Sequence, residues 1–181
     1  MSFAAIKWYS AHPRAIFAKL SIMRLLDWVP DDAYLKLLWS PKEMGYPLDL
    51  KTPKAFNEKL QWLKLHNRDP LYTTMADKYA AKAYVAEKIG WEHIVPVLGG
   101  PGQSADEIDF DALPEQFVLK CNHDCGGMVL CADKSRLDIS AARTKLNWSL
   151  QKNYFWASRE WPYKNIKPCI FAEQYMVDTN S

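Results

Sequence analysis

The sequence of 181 residues lacks the features that mark membrane and secreted proteins. It has no run of about 18 apolar residues, which is the length that a membrane-spanning helix needs. Its N-terminus has no apolar segment followed by a small-residue cleavage site, so it does not resemble a secretory signal. We therefore expect a cytoplasmic protein in which the four cysteines are reduced.

An excess of charge of one sign is also missing, because 23 Lys and Arg are balanced by 21 Asp and Glu. Nucleic-acid-binding proteins concentrate basic residues on one face, so we expect no nucleic-acid partner. The motifs G-x-x-x-x-G-K-[ST], G-x-S-x-G and H-E-x-x-H are absent as well. These absences exclude the P-loop and dinucleotide-binding classes and leave no hydrolase or zinc-protease signature.

The first half of the chain has the apolar spacing of helices. In residues 16–26 apolar side chains recur at helical intervals with basic residues between them. Such a helix can make peripheral contact with a membrane, but packing on the rest of the protein is the commoner use of the pattern, and we adopt that interpretation. Pro30 is expected to end this helix, and Asp31 or Asp32 to cap the next one.

Two further helices have recognisable start or stop signals. Thr52 and Pro53 predict a helix start before FNEKLQWLKLH, with Thr52 as the N-cap. Another helix is predicted from Asp77 through DKYAAKAYVAEKIG, and Gly90 is a natural C-terminal cap for it.

The second half contains short apolar runs that predict strands. These runs are HIVPVL, then QFVLKC and MVLCA as a hairpin, then KPCIFAEQYM, while GGPGQSADE is expected to be a flexible connection. DISAARTKLNWSLQKNYFW predicts a helix that begins near Asp138 or Ser140. The fold class is therefore α+β, with an N-terminal helical region (1–50), a helical and linker region (51–115) and a strand-containing lobe (116–181).

Candidate binding chemistry surrounds the predicted hairpin. Lys120 ends the apolar run FVLK, and a lysine there must reach either water or an anion. The paired glycines that follow it can turn backbone N–H groups toward a phosphate. Lys78 in the first turn of its helix opposes the helix dipole, which an anionic ligand would relieve. Each feature also has an ordinary structural explanation, but Lys120 and the glycine loop together favour an anion site.

The cysteines offer an alternative interpretation. CNHDCGGMVLC places Cys121, His123, Cys125 and Cys131 close together, which is a possible zinc ligand set. The usual C-x2-C spacing is absent, so reduced structural cysteines and no metal site are the interpretation we adopt.

Taken in order, these segments resemble the ATP-grasp enzymes. TPKAFNEKLQWLKLHNRDPLY, LPEQFVLKCNHDCGG and REWPYKNIKP are most similar to the TupA-like branch, which is associated with bacterial surface polysaccharide biosynthesis. The resemblance covers roughly residues 30 to 181. It implies a helical N-terminal region followed by the first, smaller, nucleotide-covering half of an ATP-grasp fold.

The resemblance also implies roles for particular residues. Lys78 and Lys120 match lysines that contact nucleotide phosphates. A glycine-rich loop that closes over the phosphates is matched by His123, Asp124, Cys125, Gly126 and Gly127. A hinge that holds adenine, with one carboxylate and free backbone groups, is matched by Glu173, Gln174, Tyr175 and Met176. Cys125 stands where a serine is frequent.

The implied activity is ATP-dependent ligation of a carboxylate to an amine or thiol, with ATP and Mg as cofactors and a carboxylate-bearing or saccharide substrate. The family's magnesium ligands lie well downstream of the hinge, whereas the sequence stops at Ser181. The expectation is therefore a chain incomplete for catalysis, and no catalytic residue is assigned. Two alternatives stay open: a glycosyltransferase-type polysaccharide enzyme, and a non-catalytic nucleotide-binding module. A sugar-nucleotide transferase ordinarily has a D-x-D metal motif, which we take to be absent from this sequence.

Overall fold

The computed structural model describes residues 13–177, which form two compact units. The N-terminal unit comprises the described residues up to Asp69 together with Tyr154–Lys164. The sheet unit comprises Pro70–Asn153 and the described residues from Asn165 onward. Helices and an antiparallel sheet occur together, so the predicted α+β class is confirmed.

The elements of the described chain are short. The helices are α1 (Pro13–Ile22), α2 (Asp31–Leu38), α3 (Pro41–Met44), α4 (Phe56–His66), α5 (Leu71–Ala76), α6 (Ala80–Ile89), α7 (Ile139–Leu150) and α8 (Tyr154–Ser158). The strands are β1 (Val97–Gly102), β2 (Phe117–Cys121), β3 (Met128–Cys131) and β4 (Ile170–Gln174). No helix within residues 13–177 has the length and apolarity to cross a membrane.

A buried arginine organises the N-terminal unit. The Arg159 guanidinium lies 4.0 Å above the ring of Tyr34, and its Nε is 3.0 Å from the Asp31 carboxylate. Tyr34 in turn donates to the Ala157 carbonyl oxygen at 3.0 Å. A buried charge is tolerated only with a partner, so these contacts tie α8 to α2.

The sheet of the second unit has the order β1-β4-β2-β3, and every pair is antiparallel. Side chains alternate between the two faces of a strand. One face forms the hydrophobic core, in which Phe117, Leu119, Ile170 and Ala172 lie in one cluster with Leu146 of α7. The opposite face therefore carries Val118 and Lys120 of β2 with Phe171 and Glu173 of β4, and we call it the ligand face.

Two predicted helix boundaries are wrong for local reasons. The first helix ends at Ile22 rather than Pro30, because Arg24 adopts a φ of 63° and the N–H of Leu25 bonds to the Leu20 carbonyl at 3.0 Å. This left-handed residue with a six-to-one hydrogen bond is a Schellman ending. Neither Asp31 nor Asp32 caps α2; Pro30 occupies that position.

The helix predicted to start at Thr52 begins at Phe56 instead. The Thr52 hydroxyl donates to the Asp49 carboxylate at 2.6 Å, so it cannot serve a helix terminus. Glu58 accepts the N–H groups of Lys54 and Ala55 at 2.9 Å each and defines the actual start.

In the second half of the chain, the observed helices and strands agree more closely with those predicted from the sequence. The hairpin of β2 and β3, the strand β4, and Gly90 as the C-cap of α6 are confirmed. Asp138 caps α7, but that helix ends at Leu150, and α8 belongs to the other unit. The GGPG segment was expected to be a flexible connection and instead lies in β1, where a Cβ on Gly100 would lie 2.7 Å from the Ile170 carbonyl oxygen.

Candidate functional site

An ion-pair cluster lies on the ligand face of the sheet. The Lys120 ammonium group pairs with the Glu173 carboxylate. The Lys82 ammonium group of α6 lies 2.8 Å from the other oxygen of the same carboxylate and donates to the Val95 carbonyl at 2.7 Å. The Glu173 side chain is only 6% exposed, so two cations hold one buried anion.

Positive charge accumulates around Lys120. Burial lowers the pKa of Lys120, and the nearby charges of Lys82 and Lys78 lower it further. Burial also lowers the pKa of Lys82. Both pKa shifts mean that the protonated, positively charged forms of Lys120 and Lys82 are destabilised in the cluster. An anionic ligand would relieve that electrostatic cost.

Lys78 connects this cluster to the loop between β2 and β3. Its backbone N–H bonds to the Asn122 carbonyl at 3.0 Å. Its ammonium group lies 3.4 Å from the same carbonyl and also donates to the Asp124 carbonyl. Asp77, the preceding residue, accepts the N–H groups of Tyr79 and Ala80 at 2.9 and 3.0 Å and so orients the start of α6.

The base of the glycine-rich loop is fixed by buried polar side chains. The Asp124 carboxylate accepts the Gly127 N–H at 2.9 Å and the Ser149 hydroxyl. His123 is buried, and its two ring nitrogens lie 3.2 Å from the Asn122 side-chain oxygen and the Ser149 carbonyl. Burial lowers the pKa of His123. The side chains of His123 and Asp124 therefore face the protein interior.

The tip of the loop is different. Cys125 and Gly126 are exposed, and their N–H groups have no hydrogen-bond acceptor among residues 13–177. Gly127 permits close packing against α7, because a Cβ at this position would lie 2.4 Å from the Ser149 hydroxyl oxygen. Of the loop predicted to contact phosphates, Cys125 and Gly126 are thus the residues with backbone donors open to a ligand.

Three apolar side chains lie on the ligand face beside the lysines, and we call them the apolar shelf: Val118, Met128 and Leu130. Val118 lies opposite Leu130 on β3 and opposite Glu173 on β4, while Lys120 lies opposite Met128. Leu130 and Met128 are exposed although both are large and apolar. These residues place a hydrophobic surface directly next to the cationic cluster.

The predicted hinge lies at the far end of the same strands. The Glu173 carboxylate is directed to the lysines, and the Gln174 N–H donates to the Pro96 carbonyl at 3.0 Å. Tyr175 is partly exposed and Met176 is exposed. A cavity of about 630 Å³ opens here, lined by Leu98, Pro114, Glu115, Gln116, Ala132, Asp133, Gln174 and Tyr175. Its volume is that of a small-molecule site.

A family model described as TupA-like ATPgrasp matches residues 58–181. This chain belongs to the TupA-like ATP-grasp family. The match confirms the resemblance drawn from the motifs and includes every candidate residue above. No curated protein and no solved structure matched the chain.

Sequence reasoning on this ATP-grasp chain missed Lys82. Its signal was its position four residues after Lys78, which places the two lysines one turn apart. The statement that the sequence has no D-x-D motif is wrong, because Asp109-Phe110-Asp111 has this spacing, which is typical of sugar-nucleotide transferases. The Asp109 carboxylate accepts the N–H groups of Asp111 and Ala112 at 3.0 and 3.2 Å, and Phe110 lies in the core. The tripeptide is therefore a turn.

The zinc alternative has no support in the geometry. Cys121 contacts the Leu146 carbonyl and Cys131 contacts the Glu115 carbonyl, both through their sulfur atoms. Among the described residues, no three or more His, Cys, Asp or Glu side chains are grouped to hold a metal ion. All four cysteines are free thiols.

We expect one thiol to react rapidly with Ellman's reagent at pH 8 in the folded protein, and all four after denaturation. Cys125 is exposed, whereas burial raises the pKa of Cys121 to about 12 and that of Cys169 to about 11. Burial also raises the pKa of Cys131. Thiols react as thiolates, so the buried three should lag. Fast labelling that persists in Cys125→Ser would contradict this assignment.

Proposed function

We propose that the ligand face of the sheet binds ATP and that the chain provides the nucleotide-binding lobe of an ATP-dependent ligase. The observation that carries the proposal is the convergence of Lys78, Lys82 and Lys120 beside the exposed backbone donors of Cys125 and Gly126. Ammonium groups and backbone N–H groups are the donors that hold phosphate in proteins. The triphosphate is assigned to this end of the face.

The adenine is assigned to the opposite end. Leu130 and Val118 lie two residues along their strands from Met128 and Lys120, which corresponds to roughly 7 Å. Phe117, the residue before Val118 on β2, pairs with the hinge residue Gln174. Gln174 lines the cavity. A flat apolar base fits the exposed Leu130 and Met128 surface, whose burial would stabilise the complex. A nucleotide laid along β2 would thus have its base over the shelf and its phosphates at the lysines.

The fit differs for the two cofactors that the family implies. The donor set suits ATP, as described. For magnesium, the only observation is that no three or more His, Cys, Asp or Glu side chains are grouped to hold a metal ion among residues 13–177. We therefore assign magnesium no ligand and no step in this chain.

In the proposed reaction, a carboxylate oxygen of the acceptor attacks the γ-phosphorus of ATP and releases ADP. An amine or thiol then attacks the acyl phosphate and displaces inorganic phosphate. The lysines of this lobe act by neutralising the negative charge of the phosphates, which is an electrostatic contribution. We place the activity in cell-surface polysaccharide biosynthesis, with a carboxylate-bearing or saccharide acceptor, on the family relationship alone.

Titration calorimetry with ATP, AMP and a UDP-sugar tests the proposal. ATP is expected to bind most tightly, because AMP lacks the phosphates nearest the lysines. Leu130→Asp should weaken ATP binding by about 10- to 100-fold, since it removes the apolar contact with the base and leaves a carboxylate that the base would cover and desolvate. Leu37→Asp is a matched control, because both leucines are 59% exposed and Leu37 lies in the other unit.

Preferential binding of the UDP-sugar would favour the transferase alternative. Equal losses of ATP affinity in Leu130→Asp and Leu37→Asp would show that the apolar shelf does not contact the nucleotide. Failure of every nucleotide to bind would overturn the proposed function.

A further inference from the structure

Asn122 is a buried amide directly after β2, at the base of the glycine-rich loop, and only 1% of it is exposed. Its side-chain Nδ2 donates to the Asp77 carboxylate at 2.9 Å and to the Lys167 carbonyl at 3.0 Å. Its side-chain Oδ1 accepts the N–H of Cys169 at 2.8 Å. Both amide donors are therefore used, and the partners fix which way the amide group is turned.

The partners of Asn122 belong to different parts of the nucleotide site. Asp77 orients the start of α6 and is followed by Lys78, whose backbone N–H donates to the Asn122 carbonyl at 3.0 Å. Cys169 precedes β4, and its carbonyl accepts the Asn122 N–H at 3.1 Å. Glu173 follows four residues later on the same segment. One buried residue thus joins the start of α6, the entry to β4 and the glycine-rich loop.

We propose that Asn122 is a positioning residue for the triphosphate. Through Asp77 it holds the Lys78 ammonium group at the distance from Lys120 and the loop tip that the phosphates require. The side chain is buried, so it acts through these neighbours and does not touch the nucleotide. Donors that are held in place before the ligand arrives need no reorganisation when it binds. This inference rests on the proposed function.

Opposite charge changes at the two ends of one hydrogen bond test the proposal. Asn122→Asp brings two carboxylates together, and Asp77→Asn turns two amide NH2 groups toward each other, so each variant breaks the contact. We expect both to weaken ATP binding by about tenfold, because a charge-assisted phosphate contact is misplaced. Adenosine binding should change by less than about twofold, since adenosine has no phosphate for the lysines to contact.

A simple charge effect predicts a different result for these variants. Asn122→Asp adds a negative charge near the triphosphate and would weaken ATP binding, whereas Asp77→Asn removes one and would tighten it. Positioning predicts a loss in both cases. Titration calorimetry with ATP and adenosine measures the affinities.

The exchanged pair Asp77→Asn/Asn122→Asp is the rescue variant. It has the net charge of the unmodified chain and restores one donor and one acceptor with their roles reversed. ATP affinity should return to within about threefold of the unmodified chain. Full recovery is not expected, because the new carboxylate still faces the Lys167 carbonyl.

Asn147 and Asp106 provide the matched control within the same unit. The Asn147 amide donates to the Asp106 carboxylate at 3.4 Å, and its oxygen accepts the Ala105 N–H at 2.8 Å. Ala105 and Leu146 belong to the hydrophobic core, on the face of the sheet opposite the lysines. Asn147→Asp and Asp106→Asn should therefore bind ATP like the unmodified chain.

Circular dichroism and urea unfolding report whether each variant is folded; if Asn122→Asp is not, Asp77→Asn decides alone. Tighter ATP binding in Asp77→Asn, equal losses for ATP and adenosine, or no recovery in the exchanged pair would each contradict the positioning role and leave the proposed function intact. Absence of ATP binding by the unmodified chain would overturn the proposed function and this role with it.

Discussion

Replacing Lys120 by alanine is expected to weaken ATP binding by about 100-fold, which corresponds to about 3 kcal/mol. Lys120 is the lysine of the cluster that lies on the sheet, between the apolar shelf and the loop. The Lys120 side chain is 30% exposed, so its ammonium group can leave Glu173 and reach a phosphate. Calorimetric titration with ATP, ADP and adenosine measures the loss.

The pattern across these ligands distinguishes charge from folding. The loss should be largest for ATP, smaller for ADP and near zero for adenosine, because adenosine has no phosphate for Lys120 to neutralise. Lys88→Ala is the control: this lysine belongs to α6 like Lys82, but its side chain is 56% exposed and pairs with Glu87. An equal loss for adenosine and ATP would show that Lys120 supports the fold rather than the phosphates.

The strands that carry Lys120 and Glu173 were predictable from the sequence. QFVLKC and KPCIFAEQYM are compact apolar runs with charged residues near one end, and a strand buried on both sides has this composition. Their pairing with each other was not predictable, because about fifty residues separate Lys120 from Glu173. That pairing creates the ion-pair cluster, so motif analysis could identify the residues without identifying their contacts.

Residues of the site were missed or misassigned where tertiary contacts override a local pattern. Lys82 occupies an ordinary helical position, and a lysine there is usually solvated; only the proximity of Glu173 gives it a role. His123 and Asp124 lie in a glycine-containing loop, which predicts that their side chains are exposed. Hydrogen bonds with Ser149 of α7 instead hold both side chains in the protein interior. Gly100 shows the same effect in the fold, since glycine is unfavourable in strands but permits the close approach of β1 to β4.

The division into two units was beyond local analysis for the same reason. Tyr154–Lys164 follows α7 in sequence, and its apolar spacing continues the helical pattern. Arg159 within this segment pairs with Asp31 and packs on Tyr34, so the segment joins the N-terminal unit. A contact between residues so distant in sequence leaves no periodic signal in either segment.

Glu173→Gln is expected to lower the free energy of unfolding by about 3 kcal/mol in the absence of nucleotide. The substitution keeps the shape of the side chain but removes the negative charge that Lys82 and Lys120 share. Removing one partner of a buried ion pair costs about 3–5 kcal/mol, and the partial exposure of Lys120 argues for the lower end of that range. Urea unfolding monitored by tryptophan fluorescence measures the change.

Adding Lys82→Met to Glu173→Gln should recover part of the lost stability, because the most buried unpaired cation is then gone. The double-mutant cycle isolates the coupling between the two residues.

Nucleotide binding of Glu173→Gln separates the two roles that this residue could have. If the carboxylate is the counter-ion of the lysines, ATP supplies replacement negative charge, so ATP binding should be retained or tightened and should restore stability to the variant. If the carboxylate instead contacts adenine, as the family resemblance implied, ATP and adenosine should weaken together. The structure favours the first outcome, because both carboxylate oxygens of Glu173 already contact ammonium groups. Parallel weakening of both ligands would therefore show that the ion pairs rearrange when nucleotide binds.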